Sequence, residues 1–149
     1  MSDRTFIREN EAARLELKEV VAGLDETALA HEVGPGWTIA TTLCHLAFWD
    51  QRALFYLRDW ERSGRVEMQQ FNSQSVEAIN QGVNAIARTV TGRDAVKLAI
   101  ESASAVDAYL EAISEGFADQ IRSAGMERYL KRSLHRREHV EKIRQILKP

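Results

Sequence analysis

The chain has 149 residues, which suits one folded domain, and 44% of them are hydrophobic while 28% are charged. The formal net charge of -2 is unlike the strongly basic balance of general nucleic-acid-binding proteins, so no nucleic-acid partner is expected. One cysteine, Cys44, excludes an internal disulfide, and neither an apolar leader nor a run of about 18–20 apolar residues is present. We therefore expect a single domain over residues 1–149, located in the cytoplasm and without a membrane partner.

The first half of the chain predicts two long helices separated by a break. Apolar residues recur at helical spacing over residues 4–24, which predicts an amphipathic first helix. Pro35 stands between two glycines and cannot continue a helix. Thr38 is a candidate N-cap for a second helix that ends near Gly64, and the apolar residues of this helix cover more than one side. We expect this second helix to be central and to pack against at least two neighbours.

The second half predicts a crossover and two more long helices. Residues 65–72 are predicted to form a loop, and Asn72 can cap a shorter, weaker helix that runs to about residue 90. Gly92 is expected to end that helix, and a strong helical period covers residues 93–114. Residues 114–125 are predicted to be a connector, and residues 126–147 to be the last helix. No segment alternates with period two, so strands are not expected.

These elements predict an all-α fold, a four-helix bundle with a long crossover that carries a shorter extra helix. A long crossover allows two consecutive long helices to run parallel, unlike the helices of a simple up-and-down bundle.

Three histidines are candidates for a metal site. His135 and His139 are four residues apart, so they lie on one face of the last helix, and His45 lies in the middle of the central helix. Taken singly, a histidine pair on a basic helix is usually solvated surface, and a histidine among large apolar residues is usually a hydrogen-bonded core residue. Taken together they favour a metal site, because facing helices of a bundle build such sites in its core.

Two segments at opposite ends of the chain resemble the DinB/YfiT-like family. The segment "GWTIATTLCHLAFWDQR" has a Trp followed eight residues later by a His in an "HLxxWD" setting, which places Trp37, His45, Trp49 and Asp50. The segment "HRREHVEKI" resembles the last-helix pattern of that family, with two histidines at i and i+4 and an isoleucine, Ile143, four residues later. The resemblance covers essentially the whole chain.

The resemblance implies an up-down-down-up bundle in which His45, His135 and His139 hold a divalent metal, most often zinc or nickel. It also implies a homodimer. Characterised members include metal-dependent transferases and isomerases that use bacillithiol or mycothiol as a low-molecular-weight thiol cosubstrate. An S-transferase of this type is therefore the expected function.

The chemistry of three neutral imidazoles leaves alternatives open. Such a site leaves coordination positions free, so a bound water or a bound thiol can become the nucleophile. A metal-dependent hydrolase and a non-catalytic metal-binding stress-response protein therefore remain alternatives. Imidazoles with an unperturbed pKa near 6.5 predict that metal binding fades below about pH 6.

Four further residues are candidates around the metal. Glu138 adjoins His139 and could serve as a catalytic base or lie in solvent, and Asp50 could be catalytic or could orient a histidine. Arg128 and Arg132 precede His135 by 7 and 3 residues, which places them on its stripe of the predicted helix. They could bind the carboxylate of an anionic small-molecule substrate or thiol, although the basic residues of this helix could equally form a solvated face.

Overall fold

The computed structural model describes residues 3–68 and 72–149, so the middle of the predicted loop, residues 69–71, lies outside the described residues. The chain forms seven α-helices and two short strands within those ranges. In order they are α1 (Thr5–Val21), α2 (Glu26–Leu29), β1 (Glu32–Gly34), β2 (Trp37–Thr38), α3 (Ile39–Ser63), α4 (Ser73–Ala87), α5 (Gly92–Ala112), α6 (Glu115–Ser123) and α7 (Ser133–Leu147). A short 3₁₀ turn, Glu127–Tyr129, precedes α7.

Four long helices, α1, α3, α5 and α7, form a bundle around two hydrophobic clusters, one at each end. Each cluster takes a residue from every helix or from the turn before it. One cluster includes Val21, Ile39, Ala95 and Ile143. The other includes Phe6, Leu57, Leu110 and Leu130. Helices α3 and α5 thus run from the first cluster to the second, while α1 and α7 run the opposite way.

Hydrogen bonds confirm the parallel direction of α3 and α5. Gln51 Nε2 donates to Ser102 Oγ at 3.1 Å, and further along both helices the Tyr109 hydroxyl donates to the Leu57 carbonyl at 3.3 Å. The predicted all-α, up-down-down-up bundle is confirmed.

The central helix has the boundaries that its end residues predict. Thr38 Oγ1 accepts from the Thr41 backbone N–H, and Thr41 Oγ1 accepts in return from the Thr38 N–H, which completes a capping box. Gly64 ends the helix with a φ of 72°, a left-handed conformation that residues with a Cβ adopt at a cost. Cys44 is buried, as expected for a small apolar residue.

Three local predictions are wrong. The break before α3 is a small antiparallel hairpin, β1–β2, where no strand was expected. The predicted connector contains α6, which Ser114 caps by accepting from the Phe117 N–H. Gly92 does not end a helix: it is the first residue of α5, which Thr91 caps.

The last helix begins seven residues later than predicted, because α1 stops it from extending. The side-chain amide of Asn10 donates to the Leu130 carbonyl at 2.8 Å, and its Oδ1 accepts from the Ser133 N–H at 2.8 Å. Asn10 is buried, so both bonds form away from water. This contact fixes the end of α7 that carries His135 and His139.

The crossover helix α4 packs along α3 and brings Asn80 over the middle of the central helix, where the Trp49 indole Nε1 donates to its Oδ1 at 2.9 Å. None of the helices in the described ranges is long and apolar enough to cross a membrane.

Candidate metal centre

The three predicted histidines converge between the central helix and the last helix. His45 lies on the second turn of α3 and is buried, while His135 and His139 lie one turn apart near the start of α7. One ring nitrogen of each lies within 4.8 Å of those of the other two. The ring centroids are 4.8–4.9 Å apart in all three pairs. The group is therefore a compact triangle that can hold a metal ion.

The shortest contact in the triangle fits two ligands of one ion. His45 Nε2 and His135 Nε2 are 3.0 Å apart. Ligand nitrogens at 2.0–2.1 Å from a metal are about 2.9 Å apart at a right angle and about 3.3 Å apart at the tetrahedral angle. The observed separation lies between these values, so an ion can be shared by both rings with only small side-chain adjustments.

The electrostatics of the cluster keep all three rings neutral at neutral pH. Burial first, and the neighbouring histidines second, lower the pKa of His45 to about 4 and that of His135 to about 2. Burial, with Lys142 nearby, lowers the pKa of His139 to about 4. A neutral imidazole is the form that donates a lone pair to a metal. The donor set is thus in its binding form over the physiological range.

Aromatic and amide groups surround the His45 ring. Trp37 contacts it edge to face with ring centroids 5.5 Å apart, and Trp49 lies at 6.4 Å. The buried Nδ1 atom of His45 finds no hydrogen-bond partner among the described residues. The ring is therefore held by packing, and its Nε2 side faces the other two histidines.

Asp50 lies one helical turn beyond His45 and binds arginines. Its Oδ1 accepts from Arg132 Nε at 2.9 Å, and its Oδ2 accepts from Arg136 Nη2 at 3.2 Å. No hydrogen bond joins Asp50 to the three histidines in the described part of the chain. The alternative in which Asp50 orients a histidine therefore does not match the structure, and a catalytic role for Asp50 stays a prediction.

Arg136 joins Asp50 to the bundle core. Its side chain is 1% exposed and also binds both carboxylate oxygens of Asp107, at 2.8 and 2.9 Å. Burial alone would lower the pKa of Arg136, but the two carboxylates raise it above its ordinary value. Arg14 on α1 adds an ion pair to Asp107 at 3.2 Å. The expectation of a solvated basic face fails at Arg136, which ties α7 to α3 and α5.

Of the other predicted residues, Glu138 and Arg128 are exposed, whereas Arg132 is buried. Glu138 is exposed, and its charge reaches the cluster, because it opposes part of the pKa shift of His45. The predicted stripe of Arg128 and Arg132 with His135 is wrong as helix geometry, since α7 begins after both arginines. Their charges nevertheless contribute to the lowered pKa of His135. Both therefore lie close to the cluster.

Two cavities open on the histidine cluster. The first, here named the arginine cavity, has a volume of about 490 Å³. It is lined by Arg52, Arg128, Tyr129, Arg132, His45 and His135. The second, here named the hairpin cavity, has a volume of about 230 Å³. It is lined by Val33, Gly34, Trp37, Lys142, His45 and His139. Asn80 lines both cavities.

The sequence was compared with protein families, curated proteins and solved structures. The model of the DinB superfamily matches residues 9–140, a span that includes all three histidines. The chain belongs to the DinB superfamily. No curated protein and no solved structure matches it closely enough to be counted. The family assignment therefore agrees with the resemblance, and the histidine cluster is compatible with metal binding in this DinB-like chain.

Several residues around the cluster carry no sequence signal for a site. Asn80 lies on a weak crossover helix, and Arg52, half-buried on α3, is one of several arginines in that region. Arg52 Nη1 donates to the Tyr129 hydroxyl at 2.9 Å, which joins α3 to the turn before α7.

Proposed function

We propose that this DinB-like chain is a metal-dependent S-transferase that joins an anionic low-molecular-weight thiol of the bacillithiol or mycothiol type to an electrophilic small molecule. The observation that carries this proposal is a cluster of three neutral histidines, two of which, His45 and His135, line a cavity that also holds three arginines. A bound metal can activate a thiol as nucleophile, and the arginines favour an anionic carrier of that thiol.

A divalent ion, zinc or nickel, would be held by His45, His135 and His139. When bound, it lowers the pKa of a coordinated thiol so that the sulfur is available as a thiolate. Three protein ligands leave open positions, which is typical of catalytic rather than structural sites.

The surrounding residues have separate roles in this proposal. Arg128 would bind a carboxylate of the thiol, because its guanidinium lines the cavity and makes no hydrogen bond or ion pair within the described ranges. Arg132 also lines the cavity, but its charge is already neutralised by Asp50. Arg132 would therefore help to position the thiol without adding net positive charge to the cavity. Glu138 would accept the thiol proton. The sulfur then forms a bond to the electrophilic carbon, and the leaving group departs with the electron pair of its broken bond.

A metal-dependent hydrolase is the second candidate, and the placement of Glu138 favours it. The carboxylate is 56% exposed, and its ion pair with Lys142 is long at 3.7 Å, so it can move toward a water near the histidines. A thiol is then not needed. Activity with and without added thiol separates the two candidates.

Metal content tests the shared part of both candidates. Protein purified without a His-tag is expected to carry about one zinc or nickel ion per chain, and His135→Ala and His139→Ala should each lose most of it. His31→Ala is the matched control, because His31 is exposed on the loop before the hairpin and lies outside the cluster. Full occupancy in both cluster variants would overturn the metal site.

Thiol conjugation tests the finer proposal. Arg128→Gln should weaken binding of an anionic thiol about ten- to a hundredfold without lowering metal content, because a charge-assisted contact contributes about 1.5–3 kcal/mol. Arg137→Gln, an exposed residue of α7 outside both cavities, is the control. An unchanged affinity at low salt would contradict the role of Arg128. Full metal content without any turnover would instead support a non-catalytic metal-binding stress-response protein.

The homodimer and the cytoplasmic location stay predictions. Sedimentation of the purified chain at several concentrations tests the dimer, and fractionation of cells tests the location.

A further inference from the structure

The hairpin cavity has no role in thiol binding, yet it reaches the same histidine cluster. His45 lines both cavities, whereas His135 lines only the arginine cavity and His139 only the hairpin cavity. A ligand in either cavity therefore lies beside the candidate metal. At about 230 Å³ the hairpin cavity is smaller than the roughly 300–1,000 Å³ typical of sites for drug-sized molecules.

The two cavities differ in charge. Three guanidiniums line the arginine cavity, and one carboxylate, Asp50, pairs with Arg132. The ionisable groups of the hairpin cavity, other than its neutral histidines, are Glu77 and Lys142, which have opposite signs. Both are exposed, and each has a partner: Glu77 accepts from Gln81 Nε2 at 2.7 Å, and Lys142 lies 3.7 Å from Glu138. The hairpin cavity thus presents no net charge to a ligand.

The wall of the hairpin cavity suits a flat apolar ring. Trp37 and Val33 are half-buried on the two strands, and the Trp37 indole contacts His45 edge to face. An indole at a cavity wall packs well against another ring through offset or edge contacts. The two cavities share His45 and Asn80, and their other lining residues differ. A ligand in one cavity therefore need not displace a ligand in the other.

We propose that the hairpin cavity is the site of the second substrate, a small uncharged molecule with an apolar ring, while the anionic thiol occupies the arginine cavity. This inference rests on the proposed function and deepens it, because it assigns the electrophile to a place and a chemical class. It requires both molecules to bind at the same time, one in each cavity.

A pair of matched probes tests the assignment. 4-Fluorobenzyl alcohol is uncharged, and 4-fluorobenzoate carries the same ring with one negative charge, so binding of each can be followed by ¹⁹F NMR on the zinc-loaded chain. Gly34→Leu fills the hairpin cavity, because a Cβ at Gly34 meets no atom within 4 Å and its φ is not left-handed. Gly82→Leu is the control, an exposed glycine of α4 that also has open space and lines neither cavity.

The expected result is a crossed pattern. The alcohol should shift the indole N–H signal of Trp37 and leave that of the buried Trp60 unchanged. Gly34→Leu should weaken binding of the alcohol at least tenfold, whereas Gly82→Leu and Arg128→Gln should leave its affinity unchanged. Arg128→Gln should weaken binding of the benzoate at least tenfold, and saturating benzoate should not displace the alcohol.

Two outcomes overturn the inference. One is equal affinity of the alcohol for the wild type and Gly34→Leu, and the other is competition between the two probes for one site. The proposed function fails separately, by lack of metal or of thiol conjugation. Thiol conjugation by a chain in which either of these two outcomes is found would overturn only the inference.

Discussion

Replacing Arg136 with methionine should lower the free energy of unfolding by about 3–5 kcal/mol, the range for removing one partner of a buried ion pair. Arg136 is 1% exposed and binds Asp50 and Asp107, whose side chains are 3% and 10% exposed. It also donates to the carbonyls of Asn10 and Ala103. Methionine keeps much of the volume but leaves both carboxylates with fewer charged partners.

Arg14→Met is the matched control for that change. Arg14 pairs with the same Asp107, but its side chain is 26% exposed and Asp107 keeps both hydrogen bonds from Arg136 without it, so the loss of Arg14 should cost less, about 1 kcal/mol. Urea unfolding of the metal-free chain at neutral pH, with chelator present throughout, measures both variants. A loss below about 1 kcal/mol in Arg136→Met, or an equal loss in the two variants, would refute the role assigned to the buried network.

The stability of Arg136→Met should also depend on pH in a way that simple loss of packing would not give. Burial already raises the pKa of Asp107, and the hydrogen bonds from Arg136 oppose that shift. Without Arg136 the pKa should rise further above its unfolded value, so the folded variant binds a proton that the unfolded chain releases. The stability contributed by that proton is present at low pH and lost as pH rises through the folded pKa. The deficit against the wild type should therefore be smaller near pH 4.5 than at pH 7.

Two further predictions concern the metal and the start of α5. Zinc or nickel should raise the thermal midpoint, and chelator should reverse the rise, because an ion that binds only the folded chain stabilises it; equal midpoints in ion and chelator would count against the site. Gly92→Ala should lower the free energy of unfolding by about 1–3 kcal/mol, because a Cβ there would lie 2.7 Å from Leu29 Cδ1 in the buried core. Gly82→Ala, in open space, should instead stabilise α4 by about 0.5–1 kcal/mol. Thermal melts that rank these two variants the other way would show that the Leu29 side chain moves aside easily.

Local patterns were sufficient to predict the four long helices. Thr38 and Gly64 mark the ends of α3 by capping, which depends only on neighbouring residues. The helix α6 was missed although its signals are local too: Ser114 at the N-cap, and Phe117 and Ile121 one turn apart. Its nine residues are short for a clear period, so the segment resembled a connector.

The start of α7 and the burial of Arg136 depend on residues far along the chain, and no local pattern contains them. Ser133 binds Asn10, which is 123 positions away, and Arg136 binds Asp50 across 86 positions. From the sequence alone Arg136 is expected to be exposed, because its carboxylate partners Asp50 and Asp107 lie on other helices. The histidine cluster could be predicted because the family resemblance supplied the long-range contact, whereas Asn80 and the two cavities depend on how α4 packs.

The pH dependence of metal binding is where burial changes the expectation most. Unperturbed imidazoles would be mostly protonated at pH 5.5, and three of them with pKa values near 6.5 would reduce metal affinity about a thousandfold between pH 7.5 and 5.5. In the folded chain burial lowers the pKa of His45 and His139 to about 4 and that of His135 further, so protons hardly compete above about pH 5. We expect chelator-competition titrations to give metal affinities within a few-fold of each other at pH 7.5, 6.5 and 5.5.

The stability of the metal-free chain should depend on pH, because the histidines of the unfolded chain take up protons that those of the folded chain do not. Its stability should fall as pH drops below about 6.5, at about 1.4 kcal/mol for each unit by which one histidine pKa is lowered, and His45 and His139 should stop adding to the fall below about pH 4. A hundredfold loss of metal affinity by pH 5.5, in protein whose circular dichroism still shows the folded bundle, would mean that the three rings are open to water.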